Sequence, residues 1–209
     1  MMPKFWLPLC LSTSVLLLSG CSSMGGMSFS ALNPMNWFSN DTLTVSANGL
    51  GNITSSTKIT ESEIKNALGG SFNYREGMEM QGSDITVVVQ ALEDNKIQVA
   101  FYGKEKGTVE KIEVFDAKAT TDWGTTIGTP FKDIYKKAFG ACSKGPKDEK
   151  QRTILCQSAE AKSVSYVFSG QWDGPDGLMP PDEVLSNWAL TQIIWQNKSP
   201  SRYSLYYSL

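Results

Sequence analysis

The chain sets out one series of segments twice, and that order confines it to antiparallel sheet with helices on one face. In Ile97-Gln98-Val99-Ala100-Phe101-Tyr102-Gly103, Ile97, Val99 and Phe101 fall on one side and Gln98, Ala100 and Tyr102 on the other, the period of a half-buried strand. Val164-Ser165-Tyr166-Val167-Phe168-Ser169-Gly170 follows it in phase. Thr86–Ala91 aligns in the same way with Thr153–Ser158, and Val109–Phe115 with Leu190–Trp195. Ahead of each set stands a short amphipathic segment ended by glycine, residues 63–70 and 133–140, and glycine closes a helix through its left-handed conformation. Thr60-Glu61-Ser62-Glu63 has the pattern of a capping box, and Pro130 after Thr129 is placed for the first helical position.

The fold class expected is therefore α+β: a tandem repeat of two helix-plus-three-strand units, about residues 42–118 and 119–209, forming antiparallel sheets with the helices packed on one face. A lead-in strand is expected before each helix, at 43–47 and at 111–118, the latter shared between the halves. Ile64 and Ile134 should occupy equivalent buried helix positions, and Phe101 and Phe168 equivalent inward strand positions. Glu93-Asp94-Asn95-Lys96 reads as a tight polar turn between strands.

Residues 1–20 are built like a secretory signal. Lys4 is the only charge, an apolar stretch rich in Leu runs from Phe5 to Leu18, and Leu18-Ser19-Gly20-Cys21 closes it. That ending is the lipobox of bacterial lipoproteins, in which the cysteine thiol is diacylated and the bond before it is cut; small residues leave the backbone narrow enough for the peptidase. The apolar stretch falls short of the about 20 residues that span a bilayer, whereas two or three acyl chains anchor stably. Ser22, in place of the Asp that retains lipoproteins at the inner membrane, favours the outer membrane. Residues 21–41 read as the lipidated cysteine and a tether rich in Gly, Ser, Asn and Met.

Cysteine usage fits an oxidising space. Of four cysteines, Cys10 leaves with the signal and Cys21 takes lipid, so Cys142 and Cys156 remain as a candidate disulfide, with two buried free thiols as the alternative. A closed loop of about 15 residues contributes roughly 3 kcal/mol in the chain-entropy model. The net charge of −2, with no basic block, gives nothing to recruit nucleic acid.

The halves differ in a long segment, residues 171–183, which carries Trp172, Asp173, Asp176, Asp182 and Glu183 among glycines and prolines. Long loops on a rigid scaffold often bind, so this loop is the candidate partner-contact region. Asp173 and Asp176 with Gly174 and Gly177 faintly resemble a calcium loop, but the EF-hand spacing is absent, and a solvated Gly-Pro turn is the plainer reading; no metal is expected. Trp172, Trp123 and Trp188 could stack sugars, although packing is the commoner fate of a tryptophan.

No histidine occurs anywhere, which removes the Ser-His-Asp triad, the Cys-His pair and His-ligated zinc. No phosphate-binding or dinucleotide motif is present. Carboxylate chemistry among Asp122, Asp173, Asp176, Asp182 and Glu183 stays open on paper, with solvated turn residues as the plainer reading. Neither an enzyme nor a bound cofactor is expected.

Trp123-Gly124-Thr125-Thr126-Ile127-Gly128-Thr129-Pro130-Phe131, then Cys142, Cys156, residues 166–170 and Leu178-Met179-Pro180-Pro181, resemble the small outer-membrane lipoproteins of the YfeY type, which belong to the envelope-stress (sigma-E) regulon of Gram-negative bacteria. The resemblance covers most of the mature chain. It implies an outer-membrane lipoprotein with a tandem α+β fold and carries over no catalytic or ligand residues. The expectation is a non-enzymatic envelope factor on the periplasmic face, lipid-anchored through Cys21, that binds an envelope protein or glycan. The alternatives are an inhibitor of an envelope-targeting enzyme such as a lysozyme, and a carboxylate glycosidase.

Overall fold

Strands dominate the structure, a computed structural model that describes residues 43–197 apart from Gly70, Gly82, Ser83, Lys147, Glu149, Lys150 and Asp176. The signal segment, Cys21, the tether and Asp176 of the candidate loop lie outside the described residues. Three short strands, β1 (Thr44–Ser46), β2 (Gly49–Leu50) and β3 (Ile53–Thr54), lead to helix α1 (Glu61–Leu68). Four longer strands follow: β4 (Asn73–Gln81), β5 (Asp84–Glu93), β6 (Lys96–Lys104) and β7 (Val109–Val114). The second half runs β8 (Thr120–Thr121), α2 (Phe131–Ile134), β9 (Cys142–Lys144), β10 (Arg152–Gln157), β11 (Val164–Gly170), α3 (Asp182–Leu185) and β12 (Ala189–Gln196).

Eight strands form one sheet in the order β4-β5-β6-β7-β12-β11-β10-β9, so two four-stranded meanders meet through their last strands. The others form a small sheet, β3-β2-β1-β8. Every ladder is antiparallel except the parallel pair β1–β8. The fold is thus mostly β with few helices, and α+β fits it only loosely. Each half gives the large sheet four strands where three were expected. β4 went unread because Arg75, Glu76, Gly77 and Glu79 dilute its alternation, and β9 because it has only three residues. The lead-in to the second half is β8 in the small sheet, not 111–118; the first half of that span belongs to β7 and pairs with β6 and β12.

One transverse row crosses all eight strands: Tyr74, Ala91, Val99, Val114, Ile193, Tyr166, Cys156 and Cys142 stand directly opposite one another in turn. Directly opposed residues share a face, and the six inner members are fully buried. Val114 and Ile193 form its centre. Phe101 and Phe168 lie two residues beyond Val99 and Tyr166 on the same face, and both are fully buried. Val45, Leu50 and Ile53 of the small sheet, Ile64 of α1, Phe131 of α2 and Leu185 of α3 join this face in one core. The helices and the small sheet therefore cover one side of the large sheet. Each such side chain contributes about 1.5–3 kcal/mol on full burial.

Local signals explain the elements. Thr60 caps α1 by accepting the Glu63 N–H, and Gly69, at φ 66°, closes it with an N–H bond to the Lys65 carbonyl. Asp94 and Asn95, at φ 48° and 65°, make the two-residue turn between β5 and β6. The second helix departs from expectation. α2 is a single turn, Pro130 precedes it as N-cap, and its buried residue is Phe131, with Ile134 only half-buried. Tertiary contacts end it early. Tyr135 turns to extended backbone, stacks on Phe131 at 5.4 Å, meets Phe168 edge-on at 5.9 Å, and donates its hydroxyl to the Gln157 carbonyl at 2.7 Å.

Candidate functional site

Two irregular segments of the second half are tied together and expose apolar side chains. The first, after α2, carries Phe139, 87% exposed. The second runs from β11 to α3 and carries Leu178 and Met179, 64% and 39% exposed. The tie is direct: the Ala138 N–H donates to Asp182 Oδ1 at 2.8 Å. The tie joins the two segments that carry these exposed apolar side chains. Described residues of this second segment are also held in place. Arg152 Nη2 donates to the Gly174 carbonyl at 3.1 Å, Pro180 is buried, and the Trp172 ring lies so close over Gly174 that a β-carbon there would collide with it.

The sequence-derived site residues take unequal parts. Trp172 is half-buried and packs against the core, so it braces the loop. Asp182 spends a carboxylate oxygen on the backbone of the neighbouring segment, while Asp173 and Glu183 stay exposed. The three tryptophans do not form a platform. Trp188 is buried under Gly170, and Trp123 donates from Nε1 to the hydroxyl of buried Tyr166 at 2.7 Å. Sequence reasoning missed Phe139 because it placed that residue in a helix, whereas Leu178 and Met179 fall inside the candidate segment 171–183 but are not among the residues singled out there.

The disulfide is formed. Cys142 on β9 and Cys156 on β10 are directly opposed, with Cα atoms 4.0 Å apart. It ends the transverse row and fixes the short edge strand that follows the Phe139 segment. Burial pushes the Tyr135 phenol well above its ordinary value, with Tyr166 and Glu160 adding to the shift.

On the other face of the large sheet lies a groove of about 460 Å³, lined by Val167, Ser169, Thr191 and Gln192 together with Pro146, Asp148 and Gln151. Its polar groups largely satisfy one another. The hydroxyls of Ser169 and Thr191 are 2.7 Å apart, and Asp148 Oδ1 accepts the Gln151 N–H at 3.0 Å. The Glu113 carboxylate accepts from Tyr102 at 2.9 Å and from Lys111 at 3.0 Å. Among the described residues no group of three or more Cys, Asp or Glu side chains is placed to hold a metal ion, and no helix is long and apolar enough to cross a membrane.

The sequence profile of the family described as "Protein of unknown function (DUF1131)" matches residues 26–197. The chain belongs to this family. Another DUF1131-like chain, the "Uncharacterized protein YfeY" of Escherichia coli strain K12, is 40% identical over 190 residues, covering 91% of this chain and 98% of that protein. The crystal structure of the uncharacterized protein yfeY from Escherichia coli superposes with a TM-score of 0.66 at 36% identity, over 74% of this chain and 99% of that one. The DUF1131 fold is therefore the mostly β arrangement described above.

Proposed function

We propose that this DUF1131 protein is a lipid-anchored factor of the bacterial outer membrane, facing the periplasm, whose domain binds an envelope partner without catalysing a reaction. The Cys142–Cys156 disulfide carries the reading, because such bonds form and persist outside the reducing cytoplasm. The lipobox ending at Cys21 supports anchoring in the same compartment. The link to envelope stress rests on the resemblance to the YfeY-type lipoproteins. The two meanders, meeting at Val114 and Ile193, support descent from a duplicated unit.

The contact surface in this reading is the tied loop pair, with Phe139, Leu178 and Met179 as its apolar centre and Asp173 and Glu183 at its rim. A rigid loop loses little conformational freedom on binding, and the pins at Gly174, Pro180 and Asp182 supply that rigidity. A protein partner suits this surface better than a glycan, since among the described residues Trp123, Trp172 and Trp188 form no aromatic platform beside it. An inhibitor of an envelope-targeting enzyme would use the same loops, with Asp173 as the acid offered to a cleft. Of the acids open to a glycosidase, Asp182 is tied to the Ala138 N–H, while Asp122, Asp173 and Glu183 are exposed.

Site-specific photocrosslinking in intact envelopes tests the proposal. A photoreactive residue at Phe139 or Leu178 should capture a defined envelope protein, and the same probe at exposed Gln171 or Asn187 should capture it less. Equal capture from all four positions, or none from Phe139 and Leu178, contradicts it.

A further inference from the structure

Strand β4 closes one side of the large sheet and has no strand beyond it among the described residues. It is nine residues long, and from Asn73 to Met80 every residue is exposed except half-buried Tyr74. Edge strands of this length are normally blunted by charged side chains, lysine above all, or by proline, a bulge or a cover. β4 has neither lysine nor proline, and its ladder to β5 runs from Asn73 opposite Leu92 to Gln81 opposite Asp84 without a register shift. Helix α1 reaches it through the side chains of Glu76 and Tyr74, which share one face. Met78 and Met80, on that face, are 70% and 76% exposed, and Ile85 opposite Met80 is 49% exposed. Such an edge suits another strand.

Its charges indicate which strand. Arg75 and Glu79 lie on the other face, two positions either side of Gly77. The Arg75 guanidinium is held by a neutral group, donating from Nε and Nη2 to Gln90 Oε1 at 2.9 and 2.7 Å. Among the described residues neither Arg75 nor Glu79 is in an ion pair. A second β4 laid antiparallel, with Gly77 opposite Gly77, sets Arg75 of each copy against Glu79 of the other, twice on one face. On the other face it sets Tyr74 against Met80 and Glu76 against Met78, each twice. A one-residue slip would place core-side residues opposite outer-side ones. A shift that centres Glu76 brings two glutamates together, and one that centres Met78 moves Arg75 away from Glu79. We propose that β4 pairs with β4 of a second copy in the Gly77-centred register, joining two eight-stranded sheets into one.

Sedimentation of the full chain in detergent, with charge reversals, tests this. The parent should sediment as a concentration-dependent dimer. Arg75→Glu or Glu79→Arg alone should weaken self-association about tenfold or more by setting like charges opposite each other, and the double variant R75E/E79R should restore it. Both side chains are exposed, so the urea unfolding midpoint, measured at a protein concentration low enough for all to be monomeric, should stay within error for all three variants and report that each is folded. A parent that stays monomeric overturns the proposal, as does a dimer indifferent to the single reversals or one that the double variant fails to restore. A monomer whose Met78 and Met80 instead mediate binding to lipid vesicles assigns the patch to a membrane and also overturns it.

Discussion

The indole Nε1 of Trp195 donates to the carbonyl oxygen of Ala47 at 3.0 Å, tying β12 in the large sheet to the turn after β1 in the small one. Ser163 Oγ donates to the same oxygen at 2.7 Å. Two donors on one carbonyl hold the layers in register at the start of the described chain. Trp195→Phe keeps an aromatic ring in the core and removes one donor, so unfolding in urea should show a loss of about 1 kcal/mol, the net value of such a bond. Removing both donors with Ser163→Ala should cost more than either change alone.

The disulfide should matter to stability. Cys142→Ala with Cys156→Ala should lower the unfolding free energy by about 3 kcal/mol on the chain-entropy estimate. Reductant should lower the parent's melting temperature and leave the double variant's unchanged.

Much of this architecture was legible in the chain. The alternation at residues 97–103 and 164–170 placed β6 and β11, and Thr60 with Gly69 bounded α1. Local signals failed where long-range contacts decide. The pattern at 133–140 reads as helix, but Tyr135 does better against Phe131 and Phe168, and Asp182 takes the Ala138 N–H. No local cue reveals that exchange, so Phe139 could not be read as exposed. In the candidate loop, composition stressed the acids, and the structure ties one of them, Asp182, to the Ala138 N–H, a long-range contact that no local pattern reveals.

Alkaline pH should destabilise the fold through Tyr135. Its phenol titrates higher in the folded state than in the unfolded chain, because burial disfavours the phenolate. The stability it contributes is complete below the unfolded value of about 10 and falls as pH rises past it, since only the unfolded chain then releases the proton. Tyr135→Phe should flatten the decline in urea midpoint between about pH 10 and 11.

Gly170 lies against the indole of Trp188, and a β-carbon there would come within 2.3 Å of the ring. Trp188 is buried and cannot swing aside freely. Gly170→Ala should therefore cost about 1–3 kcal/mol by overpacking, read as a lowered melting temperature.

Intact-mass analysis of the protein purified from membranes tests the central claim most directly. The account predicts a mature chain that begins at Cys21, carries the added mass of its acyl chains and loses membrane association on Cys21→Ala. An unmodified N-terminus upstream of Cys21, or a Cys21→Ala variant still held wholly in the outer-membrane fraction, would contradict it.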